Sequence, residues 1–109
     1  MEELAVKVFN VSCEHLGVSK FKREYPSLLI KNDEEDLLSG EYCSLNNEVM
    51  INLAYILNEE DLAKTIYHEL IHYHQSPTWM KRYSNMYDYY SHPYEVIAYK
   101  RESEILNLL

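Results

Sequence analysis

The sequence predicts an α+β domain: an N-terminal helix, a small and mostly antiparallel sheet, then two more helices. Three observations predict it. Apolar residues recur at helical spacing near the start and again after Asn58. Between those stretches, two runs rich in strand formers flank Asn46-Asn47. The resulting order of helix, strands, helix, helix separates the two kinds of element along the chain, as α+β domains do.

The elements follow in order. Ala5, Phe9, Cys13 and Leu16 share one face of a helix over Glu2–Leu16, and Gly17 stops it. Lys20–Ile30 reads as extended, interrupted at Pro26, and Asn32–Asp36 as an acidic turn. Leu37–Leu45 and Glu48–Leu57 read as strands joined by a tight turn, because consecutive asparagines tolerate left-handed backbone. Asn58 is a suitable N-cap, and Glu59, Glu60 and Asp61 suit the positive end of a helix dipole. That helix should reach about Gln75, ahead of Ser76-Pro77. Residues Thr78–Ser91 form a polar, tyrosine-rich connection. Pro93 then sits at the favoured first position of a last helix, which runs to about Leu106.

Composition narrows the function classes. A chain of 109 residues predicts one domain, residues 1–109, with a modest core. A net charge of −8 without a Lys/Arg cluster argues against a nucleic-acid partner. The acidic, amphipathic start is unlike a signal peptide, and no run is long enough to span a bilayer, so a cytoplasmic protein with no membrane partner is expected. Two cysteines, Cys13 and Cys43, make no disulfide framework and read as reduced core thiols, with one bridge between them as the alternative.

The chemistry concentrates in Tyr67-His68-Glu69-Leu70-Ile71-His72-Tyr73-His74. Each helical residue advances roughly 100°, so His72 lies about 40° and Glu69 about 100° from His68. His68 and His72 can grip one ion from successive turns, with Glu69 beside it. Ala63, Ile66, Leu70 and Tyr73 mark the opposite, core-facing side. His74 falls with that side and reads as a structural histidine bonded at the helix end. The pattern is H-E-x-x-H: two neutral imidazoles suit Zn²⁺, and the adjacent glutamate can take a proton from a water whose pKa the metal lowers. A polar, solvent-facing helix is the alternative. One Zn²⁺ per chain is expected.

A catalytic zinc needs a third protein ligand. Gln75 and Thr78 stand where the metzincin pattern requires Gly and His, so that class is excluded. Asp88, His92 and Glu95 remain. Glu95 is preferred, because the first turn of a helix fixes its direction and Ala98 lets two helices approach closely. A dipole-stabilising first-turn acid is the plain reading of the same residue.

His68-Glu69-x-x-His72, followed by Glu95 in SHPYEVIAYK, resembles the gluzincin metallopeptidases. The short chain looks like a minigluzincin, a minimal peptidase domain, over roughly Glu48–Leu106. The resemblance implies a sheet whose edge strand borders the cleft, a place that Glu48, Val49, Met50, Ile51, Asn52 and Leu53 fit. Tyr99 stands where larger members carry the acid that orients a zinc histidine. The expected activity is metalloendopeptidase hydrolysis of a peptide or protein substrate. Glu69 serves as general base, and Tyr87, Tyr90 or His92 is the candidate donor to the oxyanion. Packing is the plainer task for each tyrosine. An open strand edge and cleft in so small a domain predict a latent state, with self-association through the edge or occlusion by the apolar tail Ile105–Leu109. The resemblance implies the same zymogen-like block. The plainer task of Ile105 and Leu106 is to finish the core face of the last helix. The alternatives are an ImmA/IrrE-like protease specific for one regulator and a non-catalytic, zinc-stapled binding module.

Overall fold

The computed structural model describes residues 1–77 and 92–109. Helix α1, Glu2–Leu16, buries Ala5, Val8, Phe9 and Cys13 along one face. Gly17 closes it at φ 77°, a left-handed value that costs glycine nothing for want of a Cβ. Three strands follow: β1 is Ser27–Lys31, β2 is Gly40–Cys43 and β3 is Glu48–Asn52. The expected α+β layout is present.

The strand order is β1-β3-β2. β3 pairs parallel with β1, Ser27 opposite Glu48, and antiparallel with β2, Tyr42 opposite Val49. The sheet is therefore mixed. Val49, Met50, Ile51 and Asn52 are all buried, and the centre of a sheet is the place that satisfies both their side chains and their backbone. Val49 and Ile51 join the core under the helices. Asn47 takes φ 49° in the turn before β3, as the paired asparagines predict.

One expectation is corrected here. Glu48–Leu53 has no open edge to offer a substrate: Glu48–Asn52 is paired on both sides, and Leu53 starts a 3-10 turn, Leu53–Tyr55. The edge strand beside the histidines is β2. Asn52, placed in a substrate strand by the resemblance, is a fully buried structural amide. Its Oδ1 accepts from the amides of Asp33 (3.0 Å) and Ala54 (3.2 Å), and its Nδ2 donates to the carbonyls of Asp33 (2.8 Å) and Asp36 (2.9 Å). It ties the acidic turn to the end of β3 and so fixes the path into β2.

Helix α2, Glu59–His74, is the axis of the domain. Asn58 caps it, its side chain accepting from the Asp61 amide at 2.8 Å. All residues from Ile66 to Tyr73 are buried, so the face with His68, Glu69 and His72 is covered rather than solvent-facing. Helix α3, Pro93–Arg101, packs on α2 through the fully buried Ala98 and continues into a 3-10 segment, Glu102–Asn107. Ile105 is fully buried in the core and Leu108 packs against it. Ile105 and Leu108 thus face the core while Leu106, Asn107 and Leu109 are exposed, and none of these tail residues borders either pocket of the cleft described below. Among the described residues no helix is long and apolar enough to cross a membrane, and both cysteines are free thiols.

Candidate metal centre

Three side chains converge between α2 and α3. Ligand atoms of His68, His72 and Glu95 all lie within 4.8 Å of one another, and all three residues are buried. His68 and His72 project from successive turns of α2, their rings edge-to-face with centroids 4.8 Å apart. Glu95 enters from the first turn of α3, whose start is fixed by Pro93 and by the His92 cap. Glu95 Oε1 meets His68 Nε2 at 3.3 Å and is also bonded to His72 Nε2.

The far sides of both rings are held. His68 Nδ1 lies 2.9 Å from Glu102 Oε2. The Glu102 oxygen accepts there, so Nδ1 donates and carries the proton. His72 Nδ1 lies 2.8 Å from Gln75 Oε1, and the Gln75 amide nitrogen donates to the Tyr94 carbonyl at 3.1 Å. That second bond fixes the amide's orientation, so His72 Nδ1 also carries a proton. Both Nε2 atoms then aim lone pairs at the Glu95 carboxylate. Lone pairs facing a carboxylate need a cation between them, either a proton on a ring or a metal ion. Glu95 Oε2 is buried without a hydrogen-bond partner, which leaves one more donor atom for such an ion. Two imidazole nitrogens and a carboxylate, with their outer nitrogens anchored, fit a divalent metal.

Without a metal ion the cation is a proton, and a protonated ring then donates to Glu95. Burial opposes a charge on Glu95, but the bonds and charges of His68 and His72 outweigh it and hold the carboxyl down at about 2. Burial likewise opposes charge on His68, yet its bond to Glu95, the charge of Glu69 and its bond to Glu102 raise its pKa. Glu69 is the exception. Burial dominates there and pushes its carboxyl up to about 7, against the opposing pull of His72 and His68. An acid poised there exchanges its proton near neutrality.

Two pockets flank Glu69. One, of about 460 Å³, is bordered by Leu37, Leu38, Thr65, His68, Tyr99 and Glu102. The other, of about 240 Å³, is bordered by Leu38, Tyr42, His72, Tyr94 and Glu95. Gly40 on β2 lines both, and the absence of a side chain there makes room for Glu69: a Cβ would lie 3.3 Å from Glu69 Oε2 and 2.8 Å from Thr65 Cγ2.

Of the sequence-predicted residues, the structure brings together His68, Glu69, His72 and Glu95. His92 is buried but outside the metal-binding group, and its Nδ1 accepts from the Tyr94 amide at 3.3 Å. Asp88, Tyr87 and Tyr90 lie outside the described residues. His74 bonds the Gly17 carbonyl at 2.9 Å, the structural task expected of it. Glu102, Gln75 and Gly40 were not anticipated. Glu102 carried a signal, since seven residues from Glu95 is nearly two full helical turns. Gln75 and Gly40 carried none. Comparison with protein-family models, with curated proteins and with solved structures finds no match for this chain.

Proposed function

We propose that this chain is a zinc-dependent peptidase of gluzincin type, with His68, His72 and Glu95 holding the metal and Glu69 acting as general base. The observation that carries the reading is the placement of Glu69. It is a buried acid with a pKa near 7, set directly beside a two-histidine, one-glutamate group in a cleft. A purely structural metal site has no use for such a group. The donor set of two nitrogens and one oxygen suits zinc and leaves a coordination position for substrate chemistry. A bound zinc ion supplies Lewis acidity to the scissile carbonyl and to the attacking water.

The chain's own residues do the rest. Glu69 takes a proton from the attacking water and passes it to the leaving amine, a transfer its raised pKa suits at neutral pH. Glu102 and Gln75 keep the two imidazoles in one tautomer and one orientation. Among the described residues β2 pairs with β3 alone, and an extended peptide adds to its other edge, next to Gly40, as a further strand.

The test is metal stoichiometry combined with peptide hydrolysis. Wild type is expected to bind one zinc per chain. Glu69→Gln should keep that zinc and lose hydrolysis by about 10²–10⁴-fold, the usual worth of a general base. Equal hydrolysis by wild type and Glu69→Gln overturns the assignment, as does a chain that binds no divalent metal.

A further inference from the structure

We propose that Glu102 is a positioning residue for the metal centre, so that the 3-10 segment Glu102–Asn107 is a working part of the site. The inference rests on the reading of His68, His72 and Glu95 as a metal centre and adds a residue that H-E-x-x-H and Glu95 do not include. The position four residues after Glu95, where an acid would reach His68 from the same helix, holds Tyr99. Its ring packs edge-on against the His68 imidazole at 4.5 Å between centroids and supplies no carboxylate. The carboxylate comes from one turn further on. Glu102 ends α3 and opens the 3-10 segment, and its Oε2 reaches His68 Nδ1 at 2.9 Å.

The segment is anchored independently of that contact. Ile105 is fully buried in the core. Glu104 accepts from the Tyr67 hydroxyl at 2.8 Å and pairs with Arg101 at 3.1 Å. Tyr67 directly precedes His68 on α2, so the anchor and the metal centre share one turn of one helix. Glu102 is therefore held in place by a segment fastened through Ile105 in the core and through the bonds of Glu104 to Tyr67 and Arg101. The Glu102 side chain keeps only about a quarter of its surface exposed, so its truncation also gives up some packing, a loss that Glu102→Gln avoids. What the truncation removes besides is the acceptor that keeps the proton of His68 on Nδ1. With that acceptor gone, the ring populates the other tautomer, whose Nε2–H cannot bind a metal.

Three variants test this: Glu102→Ala, Glu102→Gln and Glu104→Ala. Zinc affinity is read by competition with a chromophoric chelator. The His68 tautomer is read by ¹⁵N NMR of the metal-free protein at mildly alkaline pH. Glu102→Ala is expected to bind zinc about 10–100-fold more weakly, with a mixed His68 tautomer. Glu102→Gln keeps a carbonyl acceptor, so it should keep the Nδ1–H tautomer and lose less affinity. Glu104→Ala loosens the segment without touching His68 and should leave the tautomer unchanged. The proposal is overturned if Glu102→Ala keeps wild-type affinity or a pure Nδ1–H tautomer. It is also overturned if Glu104→Ala weakens zinc as much as Glu102→Ala does. If wild type binds no divalent metal, the reading of the site falls, while the tautomer measurement still decides what Glu102 does to His68.

Discussion

Gly40→Ala should destabilise the protein, and Thr65→Ser should rescue it. The added Cβ lies 2.8 Å from Thr65 Cγ2 and 3.3 Å from Glu69 Oε2. Carbon atoms in good contact sit at about 3.5–4.0 Å, so the first approach forces β2 or α2 to move. Overpacking of this kind costs about 1–3 kcal/mol. Replacing glycine restricts the unfolded chain and returns about 0.4–1 kcal/mol. The net expectation is a loss of about 1–2 kcal/mol. In a domain of this size that lowers Tm by roughly 4–16 °C, taking about 4–8 °C per kcal/mol. Thr65→Ser deletes the clashing methyl from a half-buried position and should cost little alone. The double variant should then be more stable than the sum of the two single changes predicts, by about 1 kcal/mol or more. The contact with Glu69 survives in the double variant, so peptide hydrolysis should stay low after stability returns. Urea unfolding of all four proteins measures the coupling. Additive free energies, or a Gly40→Ala protein as stable as wild type, refute the claim that this glycine sets the spacing of β2 and α2.

Two other perturbations probe the scaffold. Asn52→Asp replaces a donor to the carbonyls of Asp33 and Asp36 with an acceptor, at a fully buried site. It should cost about 3 kcal/mol or more at neutral pH. The new carboxyl is favoured protonated, so its folded-state pKa lies above the unfolded value. The variant should therefore regain stability as pH falls and lose it as pH rises through that folded pKa, the reverse of an ordinary paired carboxylate. Chemical denaturation across the acidic range checks the sign, and a pH-independent deficit contradicts it. Cys13 is buried, and burial pushes its thiol up to about 11, while Cys43 is half-buried. A thiol reagent at mildly alkaline pH should modify Cys43 in the native protein and Cys13 only at the rate of unfolding; equal rates for both contradict the packing of α1.

What the sequence made legible was local. Asn58 and the three acids after it announce the start of α2 within one turn, and the cap bond to Asp61 is the interaction they predict. The turn at Asn47 was legible for the same reason, because a left-handed residue is a local event. The sheet order was not. Alternation shows that a segment is a strand, but it does not say which strand lies between which. β3 is central because four successive residues must all be buried, and only partners on both edges satisfy their backbone. That error moved the expected open edge from β2 to β3. It also turned Asn52, a saturated structural amide, into a substrate residue.

The site divides along the same line. His68, Glu69 and His72 share one helix, so 3.6-residue periodicity brings them together without tertiary knowledge. Glu95 required only that a second helix pack close, and Ala98 signalled that. The residues that orient the rings depend on finer geometry. Gln75 reaches His72 from the end of α2 and needs the Tyr94 carbonyl to settle its amide. Glu102 reaches His68 from the point where α3 tightens into a 3-10 turn. Energetics explains why these outer contacts matter in so small a protein. Burying His68, Glu69, His72 and Glu95 together is expensive unless each polar atom has a partner. Among the described residues only two buried side-chain atoms have none, the Ser12 hydroxyl and Glu95 Oε2. A lone hydroxyl costs little next to a carboxylate oxygen, which carries charge. The unmet demand therefore concentrates on Glu95, where two fixed imidazoles also aim their lone pairs. A divalent cation between them answers all three atoms at once, which is why this cluster is better suited to holding a metal ion than to stabilising the fold without one.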